Sequence, residues 1–225
     1  MKAFLFGSIG TIVETSELQR AAFNQAFADH GLDWAWSRED YREMLTVSGG
    51  KNRIARYAEA RGDTVDATAL HAAKSEIFQA QLADQGVIPR EGTTALAQQA
   101  RSQSLKLGFV TTTEPETVRI ICQSLLRQDW PEFDVLTSRE HGVPGKPDPA
   151  IYKIALNALA IAPHEAIAIE DNADGVAAAK AAGIHTVGFP GANTRAADLA
   201  ADEIVDGDLF AALRPHLSGK LEPTQ

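Results

Sequence analysis

The sequence predicts a doubly wound (Rossmann-like) α/β core on a parallel sheet, interrupted by an all-helical insert. Three observations point there. From residue 87 onward, short apolar runs alternate with helical segments of about 10 residues, the pattern of parallel strands joined by right-handed crossovers. Residues 37–85 carry helical periodicity without a convincing strand. A first apolar strand stands alone ahead of that helical block. The expected division is a core of residues 1–15 and 87–225 and a helical cap of 16–86, within a chain of 225 residues that suits a core domain with a smaller insert.

The elements follow in order. Ala3-Phe4-Leu5-Phe6 is a short apolar run ended by Gly7, as in a strand buried on both faces. The run from Ala3 to Val13 reads as a buried strand plus a glycine turn rather than a signal peptide, because it holds two glycines and no small-residue cleavage site follows. Leu18, Ala22, Phe23, Ala26 and Phe27 recur at helical spacing between Ser16 and His30. Helices are expected over Arg38 to Leu45, Lys51 to Arg61 and Ala67 to Leu82. Trp34 and Trp36 are expected to pack in the cap core, and Arg61-Gly62-Asp63 to be a helix-end turn. In the core, strands are expected at Leu105 to Val110, Phe133 to Leu136, Ala166 to Ile169, His185 to Gly188 and an edge near Val205. Helices are expected at Glu116 to Leu126, Pro149 to Ala160 and Gly175 to Ala182.

The net charge is -9, from 30 acidic and 21 basic residues. No basic excess exists to displace phosphate counterions, so nucleic acid is not the expected partner. No stretch reaches the ~18 to 20 apolar residues of a membrane span. Cys122 is the only cysteine, which excludes an intramolecular disulfide and fits a reducing cytoplasm.

Ligands of open parallel sheets bind beyond the carboxyl ends of the strands. Those positions hold Gly7-Ser8-Ile9-Gly10-Thr11, then Thr111-Thr112-Thr113, then Gly145-Lys146-Pro147, then Glu170-Asp171-Asn172. Singly, each has an ordinary structural reading: a turn, a strand end, a helix lead-in, a helix cap. Together they place hydroxyls, a lysine, an acidic pair and a glycine turn on one rim. Hydroxyl and ammonium groups suit phosphate oxygens, and the acidic pair suits a hard cation such as Mg2+.

The order of these pieces resembles the haloacid dehalogenase (HAD) superfamily, in its subgroup with a helical cap. Thr111 matches the hydroxyl of the second motif, Lys146 the lysine of the third and Glu170-Asp171 the acidic fourth. The strings Gly145 to Tyr152, Glu170 to Gly175 and Ala178 to Gly183 carry the match. The cap string from Leu45 to Arg56 and the triplet at Thr111 are similar to the CbbY branch of sugar-phosphate phosphatases. The resemblance implies catalysis through an aspartyl phosphate, with a first-motif aspartate as nucleophile and metal ligand and a second as general acid and base. Here those positions are Gly7 and Ile9, while Gly10 and Thr11 are kept. A histidine usual in this branch is Gln19.

The resemblance further implies that Thr111 and Lys146 are the surviving catalytic-site groups. Gly10, Thr11, Thr112 and the cap residues Lys51, Arg53 and Arg42 are expected to contact substrate. Asp171, Glu170 and the Ile9 main-chain carbonyl would form a weakened Mg2+ site. Ser8 is not expected to replace the nucleophile, since the only carboxylate near it in sequence is Glu14. The expectation is a catalytically impaired HAD-like protein that still binds a phosphorylated small metabolite. An active Mg2+-dependent phosphatase of altered mechanism and a non-catalytic interaction scaffold are the alternatives. The loss is expected to be local to the bond-breaking groups.

Overall fold

Among the described residues of the computed structural model, 1–45, 49–194 and 199–217, six parallel strands make one sheet. They are β1 (Ala3–Phe6), β2 (Lys106–Phe109), β3 (Val135–Leu136), β4 (Ala166–Glu170), β5 (His185–Gly188) and β6 (Glu203–Ile204). Their spatial order is β3-β2-β1-β4-β5-β6, which agrees with the doubly wound class read from the sequence. The N-terminal run is thus the central strand, and all four residues of β1 are buried. Such burial is why this strand is continuously apolar rather than alternating.

Register places the carboxyl rim. Phe6 pairs with Phe109 on one side and with Ile169 on the other. Gly7 N–H donates to the Ile169 carbonyl and Val110 N–H to the Phe6 carbonyl. The residues that follow β1, β2 and β4 therefore emerge side by side, and the polar groups singled out in the sequence sit on that one edge.

The helices are α1 (Ile9–Ile12), α2 (Ser16–Asp29), α3 (Arg38–Met44), α4 (Gly50–Arg61), α5 (Ala67–Gln85), α6 (Thr93–Ser102), α7 (Pro115–Leu126), α8 (Ala150–Leu159), α9 (Ala173–Ala181) and α10 (Leu209–Leu217). Two points correct the sequence reading. Gly10-Thr11 is not a simple turn but lies in the one-turn helix α1, because Val13 N–H closes onto the Ile9 carbonyl. The cap of α9 is not the acidic pair but Asn172, whose side chain accepts from Gly175 N–H at 2.8 Å. α6 and α10 are additional elements.

The chain divides into two units, Met1–Glu14 with Val87–Gln225, and Thr15–Gly86. The second unit is helical, α2 to α5. Its core gathers Phe23, Phe27, Trp34, Trp36, Tyr41 and Ile54. Trp36 lies 4.8 Å from both the Phe23 and Phe27 ring centroids, and Trp34 Nε1 donates to Asp63 at 2.9 Å. Both tryptophans pack in the cap core, as expected, and Gly62 (φ 74°) ends α4 at the Arg-Gly-Asp turn. In the α/β unit, Leu5, Val110, Ile151, Ala155 and Ala168 share one buried cluster beneath α8 and α9.

Gly92 adopts φ +76°, and a Cβ there would lie 2.5 Å from Phe210 N and 2.6 Å from Leu209 N. The left-handed backbone costs an L-residue roughly 1–2 kcal/mol, and main-chain overlap adds about 1–3 kcal/mol. Gly92→Ala is expected to lower unfolding stability by about 2–4 kcal/mol, read from the urea midpoint at unchanged m-value.

Candidate functional site

Lys146 is the centre of the rim. Its ammonium donates to the carbonyl of Gly7, to the carbonyl of Val110 at 3.0 Å and to Glu170 Oε1 at 2.5 Å. An ammonium has three protons, so these partners use all of them. The side chain is 8% exposed and that of Glu170 is fully buried. Tyr152, also buried, donates its hydroxyl to the same Glu170 oxygen at 2.6 Å.

Glu170 and Gly7 depend on one another. A Cβ on residue 7 would overlap both Glu170 Oε1 and the Tyr152 hydroxyl. The glutamate occupies space that any side chain at position 7 needs. Burial pushes the Glu170 carboxyl above its ordinary range, and the Lys146 charge pulls it back. Burial, then the Glu170 charge, holds the Tyr152 phenol well above its usual value. Glu170 Oε2 is buried without a hydrogen-bond partner among the described residues.

Asp171 lies one residue on, at the start of the loop into α9. Its Oδ1 accepts from the Ser8 hydroxyl at 2.5 Å and from the Asn172 amide at 2.8 Å. The fold therefore supplies Ser8 with a carboxylate that sequence proximity did not show, and the expectation that only Glu14 was available is corrected. Thr11 is fully buried and its hydroxyl donates to the Ser8 carbonyl at 2.7 Å. Gly10 lies against Asp171, whose Oδ2 a Cβ there would overlap. Thr111 Oγ1 accepts from Thr113 N–H at 3.2 Å, and Thr111 N–H donates to Thr137 at 2.9 Å. Thr112 is half-buried beside it.

The donor set for Mg2+ is two carboxylates, each with one oxygen already bonded and the other, on Glu170, without a hydrogen-bond partner among the described residues. That ion takes near-octahedral oxygen coordination, with one or two carboxylates as its protein anchors. Glu170 Oε1 is committed to Lys146 and Tyr152, Asp171 Oδ1 carries two donors, and the Ile9 carbonyl accepts the helical Val13 N–H at 2.9 Å. Lys146 offers no spare proton, since the Gly7 and Val110 carbonyls and Glu170 accept all three.

Arg90 was not singled out in the sequence. It donates to the carbonyls of Gly10 at 2.7 Å, Phe189 at 2.9 Å and Pro190 at 2.6 Å, with its guanidinium 3.5 Å from the Phe189 ring centroid. It ties the loop after β1 to the loop after β5.

In the cap unit, Lys51 and Arg42 are exposed. Arg53 is not: it is 6% exposed, donates from Nε to the Met44 carbonyl at 3.1 Å and lies over Tyr41. Thr46, Val47 and Ser48 of the cap string fall outside the described residues. Lys74, another residue the sequence reading passed over, is 5% exposed. Its ammonium bonds Gln19 Oε1 at 3.0 Å and sits 4.8 and 4.6 Å from the Phe23 and Phe78 rings. Burial, then the Arg53 charge, brings its pKa down to about 7.

A family model described as haloacid dehalogenase-like hydrolase matches residues 1–183. Protein CbbY of Cereibacter sphaeroides is 39% identical over 218 residues, 95% of this chain and 94% of the relative. The crystal structure of CbbY from Rhodobacter sphaeroides in complex with phosphate matches with a TM-score of 0.82 at 38% identity, covering 95% of this chain and 96% of that one. A mutant of that protein in complex with xylulose-(1,5)bisphosphate matches equally, with a TM-score of 0.82, 38% identity and the same coverage.

Two outcomes follow from this geometry. Gly7→Asp must expel Glu170 and strain Tyr152, so it is expected to destabilise by about 1–3 kcal/mol, with Tyr152→Phe recovering part of the loss in the double variant. Burial holds the Lys74 pKa at about 7 in the folded state, against an ordinary 10.5 when exposed. The native state then binds fewer protons between those values, so this group makes stability rise with pH across that window, by up to ~1.4 kcal/mol per unit. Lys74→Met is expected to flatten that slope in denaturant titrations run from pH 6 to 10.

Proposed function

Because this chain belongs to the haloacid dehalogenase-like hydrolase family, we propose that it binds a phosphorylated small metabolite of the sugar-phosphate kind without hydrolysing it through an aspartyl phosphate. One observation carries the reading: the nucleophile position is Gly7, and the space beside it is filled by Glu170 and Tyr152. Glycine has no nucleophile, and Ile9 transfers no proton. A positioned general acid alone is worth about 10²- to 10⁴-fold in rate. The resemblance implies Mg2+ for the family's reaction, where the ion neutralises phosphate charge.

What supports the ligand class is the company the chain keeps. The CbbY structures at 38% identity hold phosphate and a sugar bisphosphate. Each unit of this chain has its own cations, Lys146 in one and Lys51, Arg53 and Lys74 in the other. In the α/β unit, Glu170 acts as an internal anion on Lys146. A phosphate must displace it, so affinity is low and is set by that exchange. Thr111, Thr112 and the Ser8 hydroxyl are the neutral donors beside it.

Ligand at 100 times its dissociation constant stabilises by about 2.7 kcal/mol. Phosphate or a sugar bisphosphate is therefore expected to raise the melting temperature, with no phosphomonoester turnover in Mg2+. Glu170→Gln frees Lys146 from its competing charge and is expected to tighten phosphate binding severalfold in calorimetry. Absence of any stabilisation by a broad phosphate panel, in both proteins, sinks the reading.

The Ser8–Asp171 hydrogen bond of 2.5 Å favours a second reading. There Asp171 takes the Ser8 proton as that oxygen attacks phosphorus, the bond from phosphorus to the sugar oxygen breaks and Asp171 returns the proton to that oxygen; water then hydrolyses the phosphoserine to release phosphate. Phosphate release abolished by Ser8→Ala and by Asp171→Ala alike would establish it.

A further inference from the structure

At the sheet edge away from the rim, His185, Glu203 and His216 bring their ligand atoms within 4.8 Å of one another. We propose that these three side chains bind a borderline divalent transition-metal ion of the Zn2+ class. No step of the proposed function uses them.

The placement comes from the fold. Glu203 opens β6 and pairs with Val187 of β5. His185 is two residues before Val187, and alternate strand residues share a face. His185 and Glu203 therefore project together. His216 comes from the last turn of α10. His216 Nε2 already lies 3.2 Å from Glu203 Oε2, and His185 Nε2 lies 3.9 Å from the same oxygen. Ligands about 2.0–2.2 Å from a tetrahedral ion are ~3.4 Å apart. A rotation of the half-exposed His185 ring closes the remaining gap.

The chemistry selects the ion. Two imidazoles and one carboxylate suit Zn2+, Co2+ or Ni2+, whereas Mg2+ wants oxygen. Three protein ligands leave a fourth position for water. The surroundings match as well. Metal-bound histidines commonly turn the other ring nitrogen toward a carboxylate. Here His185 Nδ1 faces Asp202 Oδ2 at 3.9 Å. Asp202 is itself held, by Thr186 N–H at 2.9 Å and Lys180 at 2.7 Å. An ion at this place cross-links β5, β6 and α10.

The test uses the full chain, stripped with EDTA and titrated with Zn2+ by calorimetry, with melting temperature as a second readout. One Zn2+ is expected at ~micromolar affinity or better, together with a rise in melting temperature. His185→Ala, which removes a half-exposed ring, and the isosteric Glu203→Gln are each expected to weaken binding roughly tenfold or more. Asp171→Asn, on the opposite rim, is expected to leave it unchanged. Zn2+ that neither binds nor stabilises the unaltered protein overturns the proposal. So does binding that survives intact in both variants, which places the ion elsewhere, and so does binding lost only in Asp171→Asn.

Discussion

Three strand ends meet on one ammonium. Lys146 holds the carbonyls that follow β1 and β2 and the carboxylate that ends β4. A buried ion pair adds stability only where hydrogen bonds compensate the lost hydration. The two carbonyls and the Tyr152 hydroxyl supply that compensation. Breaking such a pair by removing one partner costs about 3–5 kcal/mol. The arrangement is therefore structural as much as chemical. It rests on the absent side chain at Gly7, because Glu170 reaches Lys146 only through that space.

The cap poses the same problem in another form. Lys74 is an amine enclosed by Phe23 and Phe78, with one amide oxygen for a partner. Burial disfavours its charged form and lowers its pKa. A second cation, Arg53, pushes the same way.

The strand-end groups were legible because a parallel sheet converts order in the chain into position on a rim. Gly7, Thr111, Lys146 and Asp171 were found that way; register brings together the residues after β1, β2 and β4, and Lys146 joins them through its hydrogen bonds. The seat of Glu170 against Lys146 and Tyr152, in the space beside Gly7, was not legible. It depends on a void, and a sequence does not display voids. Ser8 and Asp171 are 163 positions apart, so their bond was equally hidden. Lys74 was different. It shares the inner stripe of α5 with Leu70, Phe78 and Leu82, at the four-residue spacing of one helix face. A lysine on an otherwise apolar stripe was a readable signal. Arg53 was read as a substrate contact because its charge was weighed and the Tyr41 ring beneath it was not visible.

Arg90 gathers three main-chain carbonyls from two loops under one planar guanidinium. Carbonyls belong to the backbone, so this clasp is indifferent to the side chains of the loop it grips. The join between the two loops is thus a property of the main chain and of Arg90, set apart from the Lys146 cluster that depends on Gly7.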